Sequence, residues 1–254
     1  MFINDLINKW GINFSQFEKM KFVKNYKPVL YLENSKNYGY FCLNTSKFLI
    51  DEIKSNVSKN SPVFTKDSKD IKKRIPIMWT AYLSKNPEEV TIPKLDIDIF
   101  AKHPNSDLDK GHLLAKRFIQ YIGSNKDEIK PFFYKNKRSN IIYQFININR
   151  NFNSEYGQSL FEARVAEEIK RNNSTVYYQI EPIFFEEDDL IPIGTRIIAF
   201  RDTDDKEDFN SDREKIKVPF HVFVPNYDNK KQDENIKLNR QFYKYGPENL
   251  RNGK

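Results

Sequence analysis

An α+β fold built on a central antiparallel sheet is predicted by three observations. Three alternating segments rich in β-branched and aromatic residues follow one another late in the chain: VYYQIEPIFF (176–185), TRIIAFRD (195–202) and FHVFVPN (220–226). An earlier segment, VLYLENSKNYGYFCL (29–43), alternates like two strands about a turn at Asn34-Ser35-Lys36-Asn37. Between them, Ser154 to Asn172 carries Phe161, Val165 and Ile169 at i, i+4 and i+8, with charges on the other face, as a core-facing helix requires.

From the N-terminus, LINKWGINFSQFEKMKFV (6–23) has the apolar spacing of short helices, and FLIDEIKSNV (48–57) that of a short amphipathic helix. KDSKDIKKR (66–74) reads as an exposed connector and a boundary. IPIMWTAYL (75–83) is a strand ended by Ser84-Lys85-Asn86-Pro87, and LDIDIFAK (95–102) alternates with the period of a further strand. DLDKGHLLAKRFI (107–119), a basic linker and NIIYQFININRNF (140–152) then precede the long helix. After Tyr227 the chain turns polar and lysine-rich, as a loosely packed tail does. The expected organisation is an N-terminal accessory segment (1–73) packed on a main domain (74–228), with a polar tail (229–254).

The 254 residues are 39% hydrophobic and 15% aromatic, enough for a core and too many for a disordered chain. The lone Cys42 excludes an internal disulfide and a cysteine-built zinc site. No apolar run approaches the ~20 residues that span a bilayer, so membrane insertion is not expected. MFINDLINKWGINF (1–14) has no signal-peptide core. The expected location is therefore the cytosol, export by a leaderless route, or secretion if a leader has been removed.

A net charge of +7 favours polyanions. It is concentrated between Lys110 and Arg138, which holds eight bases against two acids. Glu181 to Glu214, with twelve acids against four bases, reads instead as a solvated surface loop.

Three histidines are present. His103 precedes Pro104 in a polar loop and His221 lies within a strand-like stretch, which suits structural or solvent-facing roles. His112 stands in Asp109-Lys110-Gly111-His112, where Gly111 permits a tight turn or close approach. Asp109 can hold backbone or a nearby base, and Lys110 can face a phosphate.

DKGHLLAKRFI (109–119) resembles the Asp-Arg-Gly-His signature of the DNA/RNA non-specific endonucleases, and within them the streptococcal extracellular DNase and DNA-entry nuclease branch. The order of later motifs fits. NIIYQF begins at Asn140 and places Gln144; Asn149 follows nine residues after Asn140; GQSLFEARV (157–165) places Glu162. The resemblance runs over about residues 75–228. It departs at Lys110, which stands for an arginine and lacks the bidentate fork, at Phe145 for threonine and at Tyr143 for a common proline.

The resemblance implies a ββα-metal catalytic motif, with a hairpin presenting the histidine and a helix the asparagine. It implies a metal-dependent, sequence-non-specific endonuclease acting on DNA, with RNA as a second substrate. His112, Glu162 and Asn140 are the catalytic set, His112 acting as general base near its intrinsic pKa of ~6.5 and Asn140 orienting the site by fixing the loop around His112. Asp109, Lys110, Lys116 and Arg117 face substrate. Mg²⁺, with Mn²⁺ as substitute, is held by Asn149 directly and by Glu162 and Gln144 through intervening waters. An active nuclease without a leader endangers its own cell, so export or an inhibitor or immunity protein is expected. Two rival readings are a nuclease-like module that binds nucleic acid or protein without cutting, and a basic protein that meets membrane or an acidic partner; the latter leaves the motif order unexplained.

Overall fold

The computed structural model describes residues 14–32, 39–67, 76–89, 108–133, 140–150, 157–185, 189, 191–211 and 216–227. The expected strand at 95–102, His103 and the segment 229–254 lie outside them.

Two short helices, α1 (Phe14–Lys19) and α2 (Lys21–Tyr26), lead into β1 (Val29–Leu32) and β2 (Gly39–Cys42), paired antiparallel as their alternation predicts. Helix α3 (Lys47–Asn56) starts at Ser46, whose hydroxyl accepts the Leu49 amide and satisfies one of the open first-turn donors. Strand β3 (Val63–Asp67) pairs with β4 (Pro76–Leu83). The expected exposed connector thus begins inside a strand at Lys66 and Asp67. Polar residues hid that strand because it lies at the sheet edge, where pairing rests on main-chain groups.

Strands β7 (Val176–Ile183), β8 (Gly194–Arg201) and β9 (Phe220–Pro225) complete a seven-stranded sheet, ordered β1-β2-β9-β8-β7-β4-β3 and antiparallel throughout. This is the α+β architecture with a central antiparallel sheet. Strand β8 is buried on both faces, so it lacks a polar alternation. Ile197 and Ala199 face one core, while Ile198 and Phe200 meet Leu49, Ile50 and Ile53 of α3 on the other.

The acidic stretch predicted as a solvated loop runs through β8, itself predicted from 195–202, and two of its acids turn inward. Its Glu181 is drawn into an ion pair with the buried Arg196, and Asp189 is buried as well.

A separate two-stranded sheet joins β5 (Leu108–His112) to β6 (Ile141–Phe145), and helix α6 (Ile146–Arg150) follows directly, giving the ββα unit. Between β5 and β6, a turn of 3-10 helix (Lys116–Phe118), α4 (Ile119–Ile122), α5 (Lys126–Ile129) and a second 3-10 turn (Lys130–Phe133) occupy much of the predicted basic linker.

Helix α7 (Gln158–Asn172) seals this side, with Phe161, Val165 and Ile169 fully buried. Each contributes about 1.5–3 kcal/mol by leaving water. Gly157 caps α7, and a Cβ there would lie 2.3 Å from the Ile148 carbonyl oxygen, so glycine lets α7 press on α6. Buried Asn226 ties the small sheet to the large one. Its Oδ1 accepts from the Phe145 amide at 2.9 Å, and its Nδ2 donates to the Tyr143 and Pro192 carbonyls at 3.3 and 3.0 Å.

Candidate active site

His112 ends β5, where the chain turns sharply. Asn140 clips that turn: its Oδ1 accepts from the Leu114 amide at 2.7 Å and its Nδ2 donates to the Leu114 carbonyl at 3.0 Å. Its own carbonyl accepts from the Leu113 amide at 3.0 Å. The His112 ring sets Nε2 at 2.9 Å from the Phe133 carbonyl. A carbonyl only accepts, so Nε2 carries the proton and Nδ1 the lone pair.

On α6, Asn149 donates through Nδ2 to Asp109 Oδ2 at 3.1 Å, which leaves its Oδ1 as the atom for a cation. Asp109 also receives Arg150 as a fork, Nε to Oδ2 at 2.5 Å and NH2 to Oδ1 at 2.7 Å. On α7, Glu162 accepts from Gln158 at 2.7 Å, and Arg117 Nε lies 3.8 Å from its other oxygen. Burial pushes the Glu162 carboxyl up to about 7, against the Gln158 hydrogen bond and the Arg117 charge, which both favour ionisation.

His112, Lys116, Arg117, Asn149 and Glu162 line one open cavity of about 440 Å³, together with Ala115, Arg150 and Ser159. Three cations face one carboxylate there, so the wall suits a phosphodiester. Among the described residues no group of three or more His, Cys, Asp or Glu is placed to hold a metal. The cavity's oxygen atoms that could hold a cation are instead the Asn149 amide oxygen and the Glu162 carboxyl. Such a sparse oxygen set fits a hard divalent ion that keeps most of its waters.

Four expected site residues sit elsewhere. Asn140, expected in the catalytic set as the residue that fixes the loop around His112, is fully buried with its amide on Leu114, in that loop and away from the cavity. Asp109, expected to face substrate and able to hold a nearby base, is placed for the second, occupied by Asn149 and the Arg150 fork. Gln144, expected to hold a water on the metal, is fully buried, and its Nε2 is given to Gln158 at 2.6 Å. Lys110 pairs in register with Tyr143 and is not among the cavity's lining residues.

Arg150, Ser159 and Gln158 were missed. Arg150 adjoins Asn149 and Ser159 precedes Glu162 by one helical turn, so both positions were within reach of the sequence pattern. Gln158 stands inside the GQSLFEARV motif. His221 lies apart from the cavity, fully buried, with Nδ1 at 3.0 Å from the Asn44 carbonyl.

The fold is similar to NucA from Streptococcus agalactiae with no metal bound, at TM-score 0.50 and 17% identity, over 84% of this chain and 92% of that one. The same nuclease with magnesium ion bound matches at TM-score 0.51 and 17% identity, with the same coverages. No curated protein matches the chain. The model of the DNA/RNA non-specific endonucleases matches residues 69–252, well over half of the sequence, and the chain belongs to that family.

Proposed function

We propose that the protein is a Mg²⁺-dependent endonuclease that hydrolyses phosphodiester bonds of DNA, and of RNA as a second polymer, without reading sequence. The observation that carries this reading is the convergence of His112, Asn149 and Glu162 on one cation-lined cavity, with the His112 and Asn149 polar atoms oriented by Phe133 and Asp109.

His112 Nδ1 takes a proton from water, and the resulting hydroxide attacks phosphorus in line with the 3′-oxygen. The new P–O bond forms as the P–O3′ bond breaks, leaving a 5′-phosphate and a 3′-hydroxyl that takes its proton from solvent. Phe133 fixes the ring so that Nδ1 is the base. Lys116, Arg117 and Arg150 hold the backbone phosphates, contacts that carry no base information. Asn149 Oδ1 directly, and Glu162 through water, would hold Mg²⁺, with Mn²⁺ as substitute. A cation held there would supply charge relief as the P–O3′ bond breaks. Magnesium on the structurally similar NucA supports this choice of ion.

The test is digestion of supercoiled plasmid and of structured RNA by purified protein, with Mg²⁺, with EDTA, and with His112→Ala. Cleavage that requires both the metal and His112 is expected. A folded protein that binds DNA yet cuts under no divalent metal would overturn the reading in favour of a binding module.

A further inference from the structure

Gln158 opens helix α7, is almost fully buried, and is not among the cavity's lining residues. Its Nε2 donates to the His112 carbonyl at 2.6 Å, to Glu162 Oε1 at 2.7 Å and more weakly to the Leu113 carbonyl at 3.4 Å. Its Oε1 accepts from Gln144 Nε2 at 2.6 Å.

The direction of this relay is forced. The His112 and Leu113 carbonyls only accept, so the Gln158 nitrogen must face them, and Glu162 Oε1 lies against that same nitrogen. Its oxygen must then face Gln144, which must answer with its own nitrogen. That leaves Gln144 Oε1 buried without a partner among the described residues. The same oxygen lies 1.9 Å from where a Cβ on Gly111 would stand, so the glycine before His112 makes room for it. Flipping the Gln144 amide would place two acceptors face to face. The unmet oxygen is therefore the consequence of holding Gln158 in one orientation.

We propose that Gln158 is a positioning residue for the reaction, which by bonding the His112 backbone and the Glu162 carboxylate at once fixes helix α7 against the turn that carries the general base. The inference rests on the nuclease reading above. Gln144 and Gly111 serve it in turn, the first as donor and the second as space.

The experiment compares plasmid nicking by the full chain with that of Gln158→Met, which keeps length but removes the hydrogen bonds, and Gln158→Glu, which keeps shape but sets an oxygen against three acceptors. Thermal unfolding is followed alongside. A misplacement of about 1 Å costs roughly 100-fold, so kcat should fall by about that factor in Gln158→Met and further in Gln158→Glu. The KM for DNA should stay within about 3-fold, because the phosphate-holding cations are untouched.

A Gln158→Met protein that melts earlier but keeps wild-type kcat below its transition would show a merely structural role and overturn the inference. If wild type cuts and His112→Ala does not, that outcome leaves the nuclease reading standing. A folded but inactive wild type would overturn both. Should Gln158→Met not fold, Gln144→Met removes only the donor to Gln158 Oε1. A kcat lowered at least about 5-fold with KM held then supports the inference, and an unchanged kcat overturns it.

Discussion

Two buried polar clusters occupy opposite faces of the large sheet and are built to opposite ends. On the α3 face, Arg196 donates to Glu181 Oε2 at 2.6 Å and to His221 Nε2 at 3.2 Å, and its guanidinium lies 5.0 Å from the centre of the Tyr26 ring. Because Arg196 only donates, His221 Nε2 holds the lone pair, and Nδ1 carries the proton to the Asn44 carbonyl. Burial and the neighbouring Arg196 charge push the His221 imidazole well below its ordinary range, so it stays neutral.

On the α7 face the tautomer is reversed. His112 keeps its proton on Nε2, leaves the lone pair on Nδ1, and lines an open cavity. There burial raises the Glu162 carboxyl to about 7, and Gln144 Oε1 has no partner among the described residues. The first cluster satisfies its charges within the fold. The second holds a carboxyl whose burial opposes its charge beside an open cavity, and such perturbed groups gather where chemistry is done.

The widest separation between the clusters should come from their histidines. His112→Ala should lower plasmid cleavage by about 1,000-fold, in the range for loss of a general base, and leave thermal stability nearly unchanged. His221→Ala should do the reverse: about 2–4 kcal/mol lost in urea unfolding, with kcat of the folded protein retained. A catalytic loss in His221→Ala at full stability would break the comparison.

Glu162→Gln sharpens it through pH. The folded pKa of about 7 lies above the ordinary carboxyl value of 4.5, so ionisation destabilises the metal-free protein. The penalty is nil below about pH 4.5, grows as pH rises toward 7 and is complete above it, reaching about 3 kcal/mol. Glutamine cannot ionise, so the variant should be more stable than wild type at pH 8, and the gap should close by pH 4.5. Denaturant titrations of both proteins in EDTA at the two pH values measure this, with cleavage lost in the variant. A gap that does not change with pH would sink the idea that Glu162 is a strained carboxylate.

Glu181→Gln should instead destabilise at neutral pH, by about 2 kcal/mol, because it leaves Arg196 charged and buried with half its pairing. Its partly exposed carboxylate keeps the value below that of a fully buried pair. The smallest effect is local packing. Gly111→Ala should cost about 1–3 kcal/mol by driving a methyl into Gln144, and adding Gln144→Ala should recover part of that stability. Additive losses in the double variant would mean that the two residues do not share the space.

Much of the fold was legible because the residues that build it obey short periods. The stripe Phe161, Val165, Ile169 announced α7, and the three late alternating segments became β7, β8 and β9. The edge strand β3 was not legible, since it is held by main-chain pairing with β4 and needs no apolar pattern of its own. Nor was the pairing of Glu181 with the buried Arg196, nor the burial of Asp189, both of which depend on what lies across from them.

For the site, the sequence by itself determined that His112, Asn149 and Glu162 are present at spacings of one family, because motif order is a property of the chain. Only the tertiary structure decided which of their neighbours reach the cavity. Asp109 and Asn140 differ little from Asn149 as letters, yet one holds an amide and the other a turn, while Arg150 enters the wall beside Asn149. It also decided which nitrogen of His112 holds the lone pair, through a carbonyl 21 residues away at Phe133. Local composition sets what a side chain can do, and hydrogen bonds closed across distant segments set which atom it does it with.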